Sequence, residues 1–382
     1  MDFIFWMNRP SSKEEIYPAI LRIAEAPEFY ACMNWLFPEL SNEEVKQKIT
    51  SIRTTFEFQR DFMHVGIRKI VKKTSDGLSS SGFDYVDNDN SYLYVSNHRD
   101  IFLDSGLLQI LLFEREIDTT QITFGDNLMQ GVFIDVGKVN KMFTVYRGGT
   151  RREMYENSVR LSAYIRKAIT EINDSVWVAQ RSGRTKDGID ATHTGVLKMF
   201  AQSGSKDFVA SFKELNLAPM AVSYEYDPCD YYKAQELHLT EAIGKYDKQP
   251  NEDLNSVIKG VIDYKGRIHM AIAEPIQVDE LEAIDSFGET PNDKIKMLCD
   301  LIDQRIYDNF KLWPTHFIGH DLLNNSTEYS DYYTKEEKEK FEKIMSERLS
   351  TMRGDQNELR RIYMNIYANP VDMLKERSTF DF

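Results

Sequence analysis

A chain of 382 residues, 42% of them apolar and 12% aromatic, can bury one large core or two smaller ones and is too apolar to remain disordered. Its 61 acidic against 47 basic side chains leave a net charge of -14, which excludes broad nucleic-acid binding and bulk-charge docking on an anionic membrane. An anionic substrate must therefore be met by a local cluster of cations. Cys32, Cys229 and Cys299 are odd in number and far apart, so they form neither a disulfide framework nor a metal-ligand spacing, and a reducing compartment is expected. No stretch is long and uncharged enough to span a bilayer, and the short apolar start, residues 1–8, lacks the form of an export signal.

Residues 1–75 read as helical. Ile16, Ile20 and Ile23 recur at helical spacing behind Ser12, an N-cap candidate with Glu14 and Glu15 in the first turn. Ser41 offers a second N-cap, and the pattern continues through Ile49, Ile52, Phe62 and Ile70, with residues 54–58 as the place where it could break. Between residues 73 and 91 the chain turns to Ser, Gly, Asp and Asn, the composition of a loop and of a boundary. Strands and helices then alternate, with strands at 92–95, 120–124, 143–146, 175–179, 218–226 and 267–272, and helices at 101–113, 154–172 and 293–310. That alternation implies an α/β fold with a mostly parallel central sheet flanked by helices. Charge runs at 335–348 and 357–361, with Phe341, Ile344, Leu349, Leu359, Ile362 and Tyr363 at helical spacing, read as C-terminal amphipathic helices laid on that domain. The expected organisation is an N-terminal helical segment (1–80), an α/β domain (81–330) and C-terminal charged helices (331–382).

Chemistry concentrates where the 92–95 strand meets the next helix, at Ser96-Asn97-His98-Arg99-Asp100-Ile101-Phe102-Leu103-Asp104. A histidine at the carboxyl end of a strand can present its imidazole at the edge of a sheet. A carboxylate beside it fixes the tautomer and stabilises the protonated form, and Asp104 or Asp100 could supply it. The competing reading is a satisfied loop histidine with Asp100 as helix N-cap. A second stretch, Phe143-Thr144-Val145-Tyr146-Arg147, is a strand ending in Arg ahead of a helix amino terminus, where free N–H groups and a guanidinium suit a phosphate. A third is the basic loop Gln180-Arg181-Ser182-Gly183-Arg184-Thr185-Lys186, with three cations in six residues and a glycine that lets backbone approach an anion. A fourth is the apolar strand Leu217-Ala218-Pro219-Met220-Ala221-Val222. A Rossmann fingerprint, a Walker loop and a Gly-x-Ser-x-Gly elbow are all absent, which disfavours a nicotinamide enzyme, an ATPase and a serine hydrolase.

In this order the four stretches, with Lys265-Gly266-Arg267-Ile268-His269 running into Glu274-Pro275, resemble the motifs of the glycerolipid acyltransferase family, which contains the glycerol-3-phosphate and lysophosphatidate acyltransferases. The resemblance covers roughly residues 85 to 280. It implies that His98, paired with Asp104 or Asp100, is the general base, that Arg147, Arg181, Ser182, Gly183, Arg184 and Lys186 bind the acceptor's phosphate, and that Pro219 opens a strand lining the acyl site. Five residues rather than the family's four separate His98 from Asp104, and Ser182 stands in the place of the family's Glu, which leaves the acceptor open. The implied reaction moves a fatty acyl group from acyl-CoA or acyl-carrier protein to the hydroxyl of 1-acyl-glycerol-3-phosphate, without cofactor or metal. Alternatives are glycerol-3-phosphate or another lyso-lipid as acceptor, or a non-catalytic protein binding an acyl carrier or lipid. The expected partners are the acyl carrier and a phosphorylated glycerolipid, with transient membrane contact and no nucleic acid. The expected location is cytoplasmic, peripheral to the membrane's cytoplasmic face.

Overall fold

The computed structural model of the protein describes residues 10–128, 130–146, 148–244, 246–249 and 251–377. Seven strands form one sheet: β1 (Gly77–Ser81), β2 (Leu93–Ser96), β3 (Gln121–Gly125), β4 (Met142–Val145), β5 (Val176–Ala179), β6 (Leu217–Tyr224) and β7 (Arg267–Ile272). Across the sheet they lie in the order β1-β7-β6-β2-β5-β3-β4, and every neighbouring pair is parallel except β6 with β7. From the middle strand β2 the chain moves outward to β3 and β4, returns through β5, then crosses to β6 on the far side. The carboxyl ends of β2, β5 and β6 thus meet where the strand order reverses, the place where open parallel sheets bind ligands.

The period of two along β2 assigns its side chains to opposite faces. Tyr94 joins a core with Trp177, Met220, Leu107 of the Leu103–Phe113 helix, and Ile20, Phe29, Ile49 and Ile67 from the amino-terminal helices. Leu93 and Val95 point the other way, into a core with Val176, Val178, Ile165, Leu197, Phe200, Leu298 and Ile302. A third cluster carries Phe341, Leu349, Leu359, Ile362 and Tyr363 of the Lys335–Leu349 and Gln356–Arg377 helices, packed with Tyr226 and Ala234. Among the described residues no helix is long and apolar enough to cross a membrane.

The expected α/β architecture, with helices at both ends of the chain, is the one observed. Ser12 caps the Lys13–Glu25 helix and Ser41 the Asn42–Thr50 helix, and Thr54 starts a new helix where the pattern could break, its Oγ1 accepting from Glu57 N at 3.1 Å. The stretch read as a loop between 73 and 91 departs from expectation: it contains β1. Gly77-Leu78-Ser79-Ser80-Ser81 has neither β-branched residues nor apolar alternation, and it becomes a strand by pairing with β7, residue for residue from Gly77–Arg267 to Ser81–Ala271.

Candidate active site

His98 stands two residues beyond the end of β2, in a turn that its neighbours fix from both sides. The Asn97 side chain behaves like one more strand residue: its Oδ1 accepts from Val222 N at 2.8 Å and its Nδ2 donates to Val222 O at 3.0 Å. Thr185 N donates to His98 O at 2.8 Å, tying the turn to the loop after β5. His98 is buried, and its imidazole meets the Trp177 ring edge-on at 5.9 Å.

His98 Nδ1 lies 2.9 Å from Asp104 Oδ2. That oxygen also accepts the backbone N–H groups of Arg99 at 2.7 Å and Asp100 at 2.9 Å, and Oδ1 accepts the Tyr224 hydroxyl at 2.8 Å. Burial, reinforced by the Asp104 charge, pushes the Tyr224 phenol far above its usual range and keeps it a donor. With every partner donating, Asp104 is an acceptor, so Nδ1 carries the hydrogen and the Nε2 lone pair is left for a proton. Nε2 makes no hydrogen bond among the described residues.

The choice left open between the two aspartates falls to Asp104. Asp100 caps the helix instead, its Oδ1 accepting from Phe102 N at 2.8 Å and Leu103 N at 2.6 Å. Its Oδ2 is buried without a partner among the described residues, and burial, then the Asp104 charge, raises its pKa. Two successive N–H groups of the turn thus converge on one Asp104 oxygen.

Arg99 holds the turn in place from below. Its guanidinium is buried, donating to Asp190 Oδ2 at 2.7 Å, Asp227 Oδ2 at 3.1 Å and Gly188 O at 3.1 Å, while Lys233 Nζ donates to Arg99 O at 2.8 Å and pairs with Asp227. Burial opposes the charge of Arg99, but Asp190 and Asp227 outweigh it, and the guanidinium is held more firmly protonated than usual. Asp190 also accepts from Asn97 Nδ2 at 2.9 Å and Thr185 Oγ1 at 2.6 Å. Sequence reasoning missed Asp190, Asp227 and Lys233, since nothing near them in the chain marks them as partners of a turn about a hundred residues away.

The basic loop after β5 reaches the same edge but is unevenly used. Arg181 Nε and Arg184 Nη1 are buried with no partner among the described residues. Lys186 is committed to an ion pair with Glu236. Ser182 is exposed, and Gly183 turns the loop at φ 76°, where a side chain would be strained. Arg147 lies outside the described residues. The helix amino terminus expected to receive phosphate beside it is already capped: Glu153 Oε2 accepts from Thr150 N at 2.7 Å, and Thr150 Oγ1 accepts from Glu153 N at 3.3 Å. Pro219 sits inside β6 opposite Val95, buried between its neighbours, with its carbonyl accepting from Ala273 N at 2.9 Å.

A cavity of about 420 Å³ opens one strand away from His98, between the ends of β4 and β5 and the Arg151–Lys167 and Thr194–Ala201 helices. Arg181, Ser182 and His193 are among its polar lining residues and Phe143, Val178 and Leu161 among its apolar ones; His98 does not line it. Burial, then the charge of Arg181, lowers the pKa of His193. The edge thus offers a histidine poised to take a proton, two guanidinium groups with unused donors and an apolar cavity alongside. Comparison with protein-family models and with curated proteins finds no match to this chain.

Proposed function

We propose that the protein is an O-acyltransferase that moves a fatty acyl group from an acyl thioester, acyl-CoA or acyl-carrier protein, to the hydroxyl of a phosphorylated glycerolipid such as 1-acyl-glycerol-3-phosphate. The observation that carries this reading is His98, with Nδ1 held by Asp104 and Nε2 without a partner among the described residues, its carbonyl bonded to the loop that carries the unpartnered guanidinium nitrogens of Arg181 and Arg184. His98 Nε2 removes the proton from the acceptor hydroxyl as its oxygen attacks the thioester carbonyl. The tetrahedral adduct collapses to the ester, the C–S bond breaks, and the imidazolium returns its proton to the leaving thiolate. Asp104 stabilises the imidazolium between these steps. Arg181 and Arg184 hold the acceptor's anionic head, which makes the encounter positioned rather than random. Because Lys186 is paired with Glu236, the reading assigns head-group binding to these two guanidinium groups and not to all three cations of the loop. The acidic protein acts in the cytoplasm and meets its lipid at the membrane surface.

The test is thiol release from palmitoyl-CoA and palmitoyl-carrier protein with 1-acyl-glycerol-3-phosphate, glycerol-3-phosphate or no acceptor, for wild type and His98→Ala. Acceptor-dependent release that falls by about 10²–10⁴-fold in the variant supports the reading, on the scale of losing a general base. Release that is absent with every acceptor, or unchanged in His98→Ala, sinks it.

A further inference from the structure

The Gln356–Arg377 helix lies outside the stretch that carries the resemblance, yet it meets both loops that hold Arg99. Its Tyr363 and Tyr367 hydroxyls donate to Oδ2 of the buried Asp230, the first at 2.6 Å, and Asp227 N donates to Tyr367 Oη at 3.2 Å. Those bonds fix the loop after β6. On the loop after β5, three local features converge on one joint.

Pro370 stands inside the helix and has no N–H, so the carbonyl of Ile366, one turn earlier, lacks its usual helical donor. Gly188 is set against that carbonyl: a Cβ there would lie 2.4 Å from Ile366 O, and the φ of 88° is one that side chains rarely adopt. Asn369, beside the proline, donates from Nδ2 to Asp187 O at 2.7 Å. A missing helix donor, a missing side chain and an amide thus meet at Asp187 and Gly188. Gly188 O in turn accepts from Arg99 at 3.1 Å, so the joint stands between this helix and the His98 turn.

The same joint bears on the guanidinium groups. The loop is tied at Thr185, whose N–H donates to His98 O, and at Asp190, whose N–H donates to Tyr307 Oη at 2.8 Å. Asn369 holds the backbone between these ties, three residues after Arg184. Arg184 Nη1 has no partner among the described residues, so the place of this guanidinium is set by the backbone that carries it.

We propose that the Gln356–Arg377 helix belongs to the site, and that Asn369 is a positioning residue: by holding Asp187 it sets where the Arg184 guanidinium stands for an anionic group. The proposal rests on the acyl-transfer reading only for the identity of that anion, a phosphate ester.

The joint is read without turnover, by hydrogen exchange of the backbone amides across residues 181–190. In Asn369→Ala they exchange about fivefold faster, the worth of one hydrogen bond between neutral groups, while the thermal midpoint stays near wild type. Arg361→Ala, on the same helix but paired with Glu358 and Glu241, is the reference and leaves this loop unchanged. Asn369→Asp, which keeps the size and loses the donor, carries the test should Asn369→Ala not fold. Unchanged exchange overturns the joint.

The positioning role is read from the binding of inorganic phosphate, titrated by phosphorus NMR with no acyl donor present. Its dissociation constant rises about fivefold in Asn369→Ala, and this rise disappears in an Arg184→Ala background, where no guanidinium is left to position. An unchanged constant, or a rise of the same size in both backgrounds, overturns the role. Phosphate binding that follows this cycle in a protein that moves no acyl group upholds the proposal and removes the acyl-transfer reading. Acyl transfer with a wild-type KM for the phosphorylated acceptor in Asn369→Ala does the reverse.

Discussion

Arg99 and Arg181 stand on adjacent loops at one edge of one sheet, and the structure treats them in opposite ways. Arg99 spends its donors on Asp190, Asp227 and Gly188, inside the fold. Arg181 keeps a buried Nε with no partner among the described residues and lines a cavity. Buried polar groups are nearly always satisfied, so a nitrogen left over beside a cavity is informative in a way that a satisfied one is not. The same contrast divides the whole edge: Asn97, Arg99 and Asp104 are saturated and hold the turn, whereas His98 Nε2, Arg181 and Arg184 are not. The holders fix a geometry, and the others are what that geometry presents.

The contrast breaks most visibly if a holder is removed. Arg99→Ala leaves the buried carboxylates short of charge, Asp190 with only neutral donors and Asp227 with Lys233 alone. Breaking a buried ion pair on one side costs about 3–5 kcal/mol, so the urea midpoint falls steeply and activity is lost with the fold. A variant that keeps its midpoint would mean that Arg99 is not a holder at all. The opposite behaviour is expected of Arg181→Ala. The unpartnered nitrogen has no hydrogen bond to lose, so the midpoint moves by less than about 0.5 kcal/mol. The KM for the anionic acceptor rises about tenfold or more, the worth of one charge-assisted contact, with a smaller change in kcat. A fall in stability without a change in KM would place Arg181 among the holders.

The saturated half of the edge was only partly legible in the sequence. The His98 turn could be found because a period-two strand runs into a helical pattern there, and both signals are local. The partners of Arg99 could not, because Asp190, Asp227 and Lys233 are 91, 128 and 134 residues away and sit in stretches with no periodic signal of their own. Lys186 reads as a free cation until the fold brings Glu236, 50 residues on, against it. Glu153 is a different failure: Thr150-x-x-Glu153 is a capping-box signature visible in the sequence, and it already fills the helix amino terminus that the resemblance reserves for phosphate. β1 escaped because its serines and glycine carry no strand propensity, and its partner β7 lies nearly 190 residues later. The cavity between β4, β5 and the Arg151–Lys167 and Thr194–Ala201 helices depends on how those helices pack on the sheet, which no single stretch encodes.

Asp100 is the exception within the saturated half, and its titration sharpens the contrast. Its Oδ1 caps the helix, but Oδ2 is buried against Gly260 with no hydrogen bond, close enough that a Cβ on Gly260 would lie 2.0 Å away. Burial first, then the Asp104 charge, lifts its pKa above that of an unfolded aspartate, about 3.9. For a raised folded-state pKa the relative stability is greatest below the unfolded value and is lost as pH rises through the folded one, because the folded protein must then carry a charge it disfavours. Asp100→Asn keeps the Oδ1 acceptor and removes that charge. Its urea midpoint is therefore expected to exceed wild type at pH 8, with the advantage shrinking steadily as the pH falls towards 4. Removing any one negative charge also relieves a protein of net charge -14, so the exposed Asp89→Asn serves as the reference. An Asp100→Asn curve that parallels Asp89→Asn would mean that the Asp100 carboxylate is satisfied in solution, and that Asp100, like Arg99 beneath it, belongs wholly among the holders.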